Sequence, residues 1–233
     1  MKVAVLGTGA GARAHIARLL ELGHRVTVGT RDPVATLARS GPDRTGAPPY
    51  RDWLVGYPQA TPVSFEKAAA AADVVINGIE GSHAVDALVN VRAELTGTVL
   101  IDYAVPFVHE PEPDLPWHVP WGVMPAMDPA ITDSLGERIQ RALPGTRVVK
   151  TFVTQHQDVV VDPKSIGDAD HTMFLAGDHP CAKTVAAELL NEYGWNDILD
   201  LGALANARAL ELECYLHMAI EFALGRQFGL KVI

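Results

Sequence analysis

MKVAVLGTGAGARAHIARLLELGHRVTVGTRD, residues 1–32, opens the chain and decides how the rest is read. The branched apolar run at 3–6 has the composition of a short strand buried in mid-sheet, and Gly7 ends it. Gly7, Gly9 and Ala12 then give G-x-G-x-x-A, with Thr8, Ala10 and Gly11 filling the turn. The three fixed positions supply a tight turn, close backbone approach to a phosphate, and a small side chain where helix meets strand. From Ala10 the spacing of Ala12, Ile16, Ala17, Leu19 and Leu20 is helical, and Gly23 stands where a helix stops. A helix that starts there aims its free N–H groups at an anion. A second strand at 25–28 completes the unit. This context, more than the glycines alone, identifies a dinucleotide-binding turn.

A site for NAD places an acidic residue at the end of the second strand, where this chain has Gly29, Thr30 and Arg31. The cofactor expected is therefore NADP. A small Gly29 leaves room for the 2′-phosphate, the Thr30 hydroxyl donates to it, and the Arg31 guanidinium grips it with two parallel bonds. Asp32 does not restore an NAD site, because Asp32-Pro33 reads as an N-cap followed by proline at the first helical position.

The 233 residues suffice for a dinucleotide-binding domain with a smaller partner, and 48% hydrophobic content fills a globular core. A net charge of −9 argues against nucleic acid or an anionic membrane as partner. No basic segment followed by an apolar one opens the chain, so the expected compartment is the cytoplasm. The apolar stretch 198–224 carries Asp200, Arg208, Glu211, Glu213 and Glu221, which excludes a membrane span. Cys181 and Cys214 are isolated, and none of the nine histidines pairs with another at metal-ligand spacing, so no metal site is expected.

The expected fold class is α/β: a Rossmann-type doubly wound parallel sheet at 1–154, with a second, smaller α/β domain at 155–233 that ends in a long helix. Downstream of the opening unit come a short helix at 33–40 and a Pro-rich connector reaching Pro62, in which Tyr50, Trp53, Leu54 and Tyr57 make a small apolar cluster. Ser64 caps a helix at 65–72, a strand follows at 74–77, a helix at 82–95 and a strand at 99–102. Strand ends form the ligand crevice of such a sheet, which makes Gly78 and Ile79 candidates for the nicotinamide side. The proline-rich loop 103–130, with Trp117 and Trp121, reads as a lid or subsite wall, or as packing on the sheet edge. Ser134 and Glu137 form a capping box for a helix, and 147–153 is the last strand of the main sheet. Strands at 172–175 and 197–201 then alternate with helices at 180–193 and 203–224. The last helix is apolar on more than one side, as packing against a second subunit would require.

Nothing in the sequence signals a catalytic side chain: there is no G-x-S-x-G elbow and no Tyr-x-x-x-Lys pair. His83, His109, His118 and His156 are the histidines able to donate in a cleft. Hydride exchange between two cofactor rings needs alignment more than acid or base.

Taken together, these residues resemble the NADPH-dependent coenzyme F420 reductases, F420 being a deazaflavin. The resemblance runs over nearly the whole chain. It is firmest in MKVAVLGTGAGA at 1–12, VGTR at 28–31, TDSLGERIQRALPGTRVVKT at 132–151, VDP at 161–163, and the GW and DLG of 194–202. It implies that Thr8, Gly9, Ala10, Gly11, Ala12, Thr30 and Arg31 hold NADP, and that Gly78, Ile79, His83, Val105 and Pro106 border the nicotinamide. It also implies a homodimer whose deazaflavin lies in the interdomain cleft, with Thr154 and His156 on the acceptor side. The chain departs from the pattern at Val105-Pro106, where relatives often carry Asn-Pro, and in the run VTQH at 153–156, where they carry N-T-x-N. Ala35 stands near the place of a basic residue that helps hold the 2′-phosphate in some members, with Arg39 nearby as a substitute. Two other readings stand beside this one: an NADPH-dependent reductase of a small carbonyl or imine, and a catalytically silent NADP-binding module that reports redox state.

Overall fold

The computed structural model describes residues 1–43, 46–108, 118–119, 122–123, 125–129 and 131–233. In chain order the first elements are β1 (Lys2–Leu6), α1 (Ala10–Glu21), β2 (Arg25–Thr30), α2 (Pro33–Ala38), α3 (Tyr50–Leu54), β3 (Pro62–Ser64), α4 (Phe65–Ala69), β4 (Val74–Asn77), α5 (Gly81–Val89), α6 (Arg92–Leu95) and β5 (Val99–Asp102). Then follow β6 (Phe107–Val108), β7 (His118–Val119), β8 (Gly122–Val123), β9 (Ala126–Met127), α7 (Leu135–Ala142), β10 (Arg147–Lys150), α8 (Gln157–Val161), β11 (Met173–Leu175), α9 (Pro180–Tyr193), β12 (Ile198–Asp200) and α10 (Ala207–Leu224).

Six parallel strands form one sheet in the order β3-β2-β1-β4-β5-β10. The strand order reverses between β1 and β4, so the crevice belongs at the carboxyl ends of those two strands. Alternate side chains serve opposite faces. Val3, Val5, Ile76, Ile101 and Val149 pack with Ile16 and Leu19 of α1 and Leu189, Leu190 and Tyr193 of α9. Ala4, Leu6, Val75, Leu100 and Val148 pack with Leu88 of α5, Leu95 of α6 and Ile139 of α7. Burial on both faces is why these strands read as continuous apolar runs rather than alternating ones. β11 and β12 pair in parallel and join the sheet edge through a bridge between Lys150 and Ala176.

Register decides what reaches the crevice. Leu6 pairs with Gly29 and with Asn77, Asn77 with Asp102, and Asp102 with Lys150. These five residues make one row across the sheet, so the residues that follow them, Gly7, Thr30, Gly78 and Tyr103, emerge together.

Several local expectations are corrected. β2 runs on through Thr30, and a Cβ on Gly29 would stand 2.6 Å from Leu6 Cδ2 and 3.0 Å from the Ala68 Cβ. Its smallness serves the packing of α4 on the sheet, not a phosphate. β3 stands where the expected connector meets the cap of the next helix; its Pro62 opens a three-residue edge strand, where a missing N–H costs nothing. The helix expected at 82–95 is two helices, α5 and α6, parted at Asn90 and Val91, where Val91 leaves helical geometry with φ −117° and ψ 25°. The helix from Ser64 stops at Ala69, and the last stops back to Ala207 at its start, behind a 3₁₀ turn at Leu204–Asn206. The strand expected at 147–153 ends at Lys150, because Phe152 takes φ +65°, a left-handed conformation outside the sheet's range. Trp117 and Trp121 lie outside the described residues. Among the described residues no helix is long and apolar enough to cross a membrane.

Candidate cofactor-binding site

The glycine turn leaves β1 with Gly7 at φ +131°, and a Cβ there would stand 2.4 Å from the Gly78 carbonyl oxygen. Only glycine satisfies both the conformation and the contact. The Gly7 N–H donates to Gly29 O at 2.9 Å and the Gly78 N–H to Leu6 O at 2.8 Å, so three strand ends are stitched at one point. Gly9 is the N-cap of α1 and has nothing within 4 Å of where its Cβ would be. The space above the turn is open, and the unpaired N–H groups of the first turn of α1 face it, the arrangement a pyrophosphate requires.

A cavity of about 660 Å³ extends from this turn. Gly7, Thr8, Gly9, Ala10, Gly11, Ala12, Thr30, Arg31, Gly78, Ile79, His83 and Val105, all expected from sequence, line it. Pro106 is not part of the lining; it is buried, and its backbone backs onto Gly81, whose Cβ would approach Pro106 Cα to 3.1 Å. Thr154 and His156 do not line the cavity either. Thr154 is buried with its hydroxyl 3.8 Å from Met173 Sδ. His156 is exposed and caps α8, its Nδ1 accepting from the Asp158 N–H at 3.4 Å. Their neighbour Gln157 lines the cavity instead, together with Asp43, Glu80, Tyr103 and Phe107, none of which the motifs marked.

At the β2 end, Thr30 and Thr36 share a hydrogen bond at 2.9 Å between their hydroxyls. Two hydroxyls joined by one bond leave one proton for an outside acceptor. Arg31 is exposed beside them. Asp32 caps α2 by accepting from the Ala35 N–H at 2.9 Å, which occupies its carboxylate as expected. Arg13, 7% exposed, donates from Nε to Thr8 O at 2.9 Å and from Nη1 to Pro48 O at 2.6 Å, and so ties the segment before α3 to the glycine turn.

Two polar clusters lie beneath the cavity. On one face of the sheet, Lys150 Nζ sits 2.8 Å from Asp102 Oδ2 and 2.8 Å from Glu211 Oε1, and also donates to the Ala104 carbonyl. Asp102 Oδ1 accepts from Asn77 Nδ2 at 2.8 Å and from the Ala104 N–H at 3.2 Å, while Asn77 Oδ1 accepts from the Ile79 N–H at 3.2 Å. Glu211 takes the Leu135 and Gly136 N–H groups at 3.0 and 3.1 Å. Two carboxylates are thus balanced by one ammonium and the N-terminus of α7. Burial opposes the Lys150 charge, but Asp102 and Glu211 outweigh it and the pKa is raised.

On the other face stands His15, fully buried, with Nε2 2.8 Å from Gln157 Oε1 and Nδ1 3.0 Å from the Tyr193 hydroxyl. Gln157 Nε2 donates to Phe152 O at 2.8 Å, which fixes its amide orientation. His15 therefore carries its proton on Nε2, and Tyr193 donates to Nδ1. Burial holds the imidazole neutral and lowers its pKa to about 4, against the opposing hydrogen bond to Gln157. Its ring stacks 5.1 Å from that of Tyr103 and lies 4.9 Å from that of Phe152. Among the described residues no group of His, Cys, Asp and Glu is placed to hold a metal ion.

Comparison with known proteins bears on this geometry. The family model described as NADP oxidoreductase, coenzyme F420-dependent, matches residues 2–106, which contain the turn and most of the cavity lining. A solved structure from Arthrobacter sp. FB24, named as a candidate F420-dependent NADP reductase, is 38% identical, with 100% of this chain and 99% of that one covered and a TM-score of 0.89. Metalloreductase STEAP3 of Rattus norvegicus is 26% identical over 212 residues, which are 90% of this chain. The chain spans about a third of that relative, 36% of its length. An imine reductase from Myxococcus stipitatus shares the fold, with 16% identity, a TM-score of 0.60, and 96% of this chain and 62% of that one covered.

Proposed function

The chain belongs to the coenzyme F420-dependent family of NADP oxidoreductases, and from that premise we propose that it exchanges hydride between NADP(H) in the described cavity and a deazaflavin or flavin-like acceptor. One observation carries the reading: a single cavity runs from Thr30 and Arg31, past the open turn at Gly9, to Gly78 and Val105. A dinucleotide laid along it has its 2′-phosphate at the basic end and its nicotinamide at the ends of β4 and β5. NADPH supplies the hydride when bound.

The chain's own residues do the rest. The first turn of α1 binds the pyrophosphate, the Thr30–Thr36 pair and Arg31 select the 2′-phosphate, and the loops after Asn77 and Asp102 shape the nicotinamide end. Those loops are held from below through Ile79 N and Ala104 N. The acting unit is a homodimer in this reading, with Leu212, Leu216 and Leu224 exposed along α10 as its support.

The test offers NADPH with F420, FMN and a panel of small carbonyls and imines, following loss of the reduced nicotinamide's absorbance. Consumption with F420 is expected. Turnover confined to small carbonyls or imines replaces the acceptor, and NADPH binding without turnover on any acceptor overturns the enzymatic reading.

A further inference from the structure

Tyr103 is the first residue after β5, and its ring lines the cavity. Its hydroxyl lies where two glycines meet: a Cβ on Gly78 would stand 2.4 Å from that oxygen, and one on Gly11 3.4 Å. Gly11 belongs to the pyrophosphate turn and Gly78 follows β4. The hydroxyl therefore sits on the nicotinamide side of the turn, at the floor of the crevice.

The ring is rigidly held. It stacks 5.1 Å from His15 at an interplanar angle of 27°, and His15 is itself fixed by Tyr193 and Gln157. Yet the hydroxyl has no hydrogen-bond partner among the described residues. The other phenols of the core are satisfied: Tyr50 donates to Ala60 O at 2.6 Å, and Tyr193 bonds His15 at 3.0 Å. A phenol held among packed rings normally finds an acceptor. Gln157, the nearby amide, is turned to other partners, Oε1 to His15 and Nε2 to Phe152. Burial, and then the Asp102 charge, raise the Tyr103 pKa, so the group keeps its proton and acts as a donor.

We propose that Tyr103 is a binding residue for the nicotinamide half of NADP(H), its hydroxyl donating a hydrogen bond to a ribose or phosphate oxygen of that half. The inference rests on the cavity being the NADP(H) site. It makes Tyr103 a preorganised donor, with the ring oriented before the ligand arrives and little side-chain freedom lost on binding.

Tyr103→Phe removes the oxygen and keeps the ring on His15. NADPH, followed by its own fluorescence on binding, and 2′,5′-ADP, which carries only the adenosine half, are titrated into the native chain and the variant. The expected result is a five- to tenfold weaker Kd for NADPH, about the worth of one neutral hydrogen bond, with 2′,5′-ADP affinity and Tm unchanged. Equal affinity of both proteins for NADPH overturns the proposal. So does an equal loss for both ligands, which marks a merely structural ring. Failure of the native chain to bind NADPH is a separate result: it removes the reading of the cavity and this inference with it.

Discussion

The two polar clusters beneath the cavity lie on opposite faces of the same sheet, and they are built on opposite chemistry. The Asn77–Asp102–Lys150–Glu211 cluster is charged and joins the cavity loops to α7 and α10. The His15–Gln157–Tyr193 cluster is neutral and joins the glycine turn's helix to α8 and α9. Each fixes backbone at the cavity wall, the first by accepting from the Ile79 and Ala104 N–H groups, the second by laying Gln157 across Gly11, whose Cβ would come 2.9 Å from Gln157 Cγ. The contrast teaches that a cavity floor can be fixed either by paired buried charges, which break if one partner is lost, or by neutral groups, which break when one is forced to ionise.

The largest expected effect comes from Lys150→Met. It leaves two buried carboxylates without their cation and costs about 3–5 kcal/mol in urea unfolding. Adding Asp102→Asn and Glu211→Gln removes the orphaned charges and recovers much of that loss. A triple variant no better than Lys150→Met contradicts the charge-balance account.

The neutral cluster should fail differently, by acid. Burial lowers the His15 pKa to about 4 in the folded chain, against 6.5 for a free imidazole. Between those limits only the unfolded chain takes the proton, so this contribution is complete above 6.5 and is lost as pH falls toward 4. Stability should drop by up to about 3 kcal/mol over that window. His15→Asn should flatten this part of the pH profile; an unchanged slope would mean that other groups carry it.

Arg31 belongs to neither cluster and tests the adenosine end. Arg31→Ala should weaken NADPH relative to NADH by roughly ten- to hundredfold, the worth of a charged hydrogen bond. Titrating both cofactors decides it, and an unaltered preference refutes the assignment. The smallest effect is at Ser134, whose hydroxyl accepts from the Glu137 N–H at 3.1 Å and caps the same helix that serves Glu211. Ser134→Ala should cost about 1 kcal/mol, with a Tm change and no change in NADPH affinity.

How much of this was written locally divides along similar lines. The turn from Gly7 to Ala12 was legible because each position does its work within a few residues of its neighbours. Thr30 and Arg31, marked for the same local reason, do line the cavity, although Gly29 turned out to serve packing against Leu6 and Ala68. Tyr103 and Gln157 were not, because their roles arise from partners brought together over long separations: His15 meets Gln157 across 142 positions and Tyr193 across 178. Thr154 and His156 were drawn from the resemblance. The left-handed Phe152 just before them carries the chain away from the cavity until Gln157 returns to it. β3 escaped because three residues opened by proline carry no periodicity.

The most direct test of the site is hydrogen exchange of the native chain with and without NADPH. Protection gained at 7–12, 30–31, 78–81 and 103–107 is the predicted result, with the α9–β12 surface around Lys183 and Asp200 unchanged. Protection at that surface, with the glycine turn unaffected, would place the cofactor elsewhere and contradict the account.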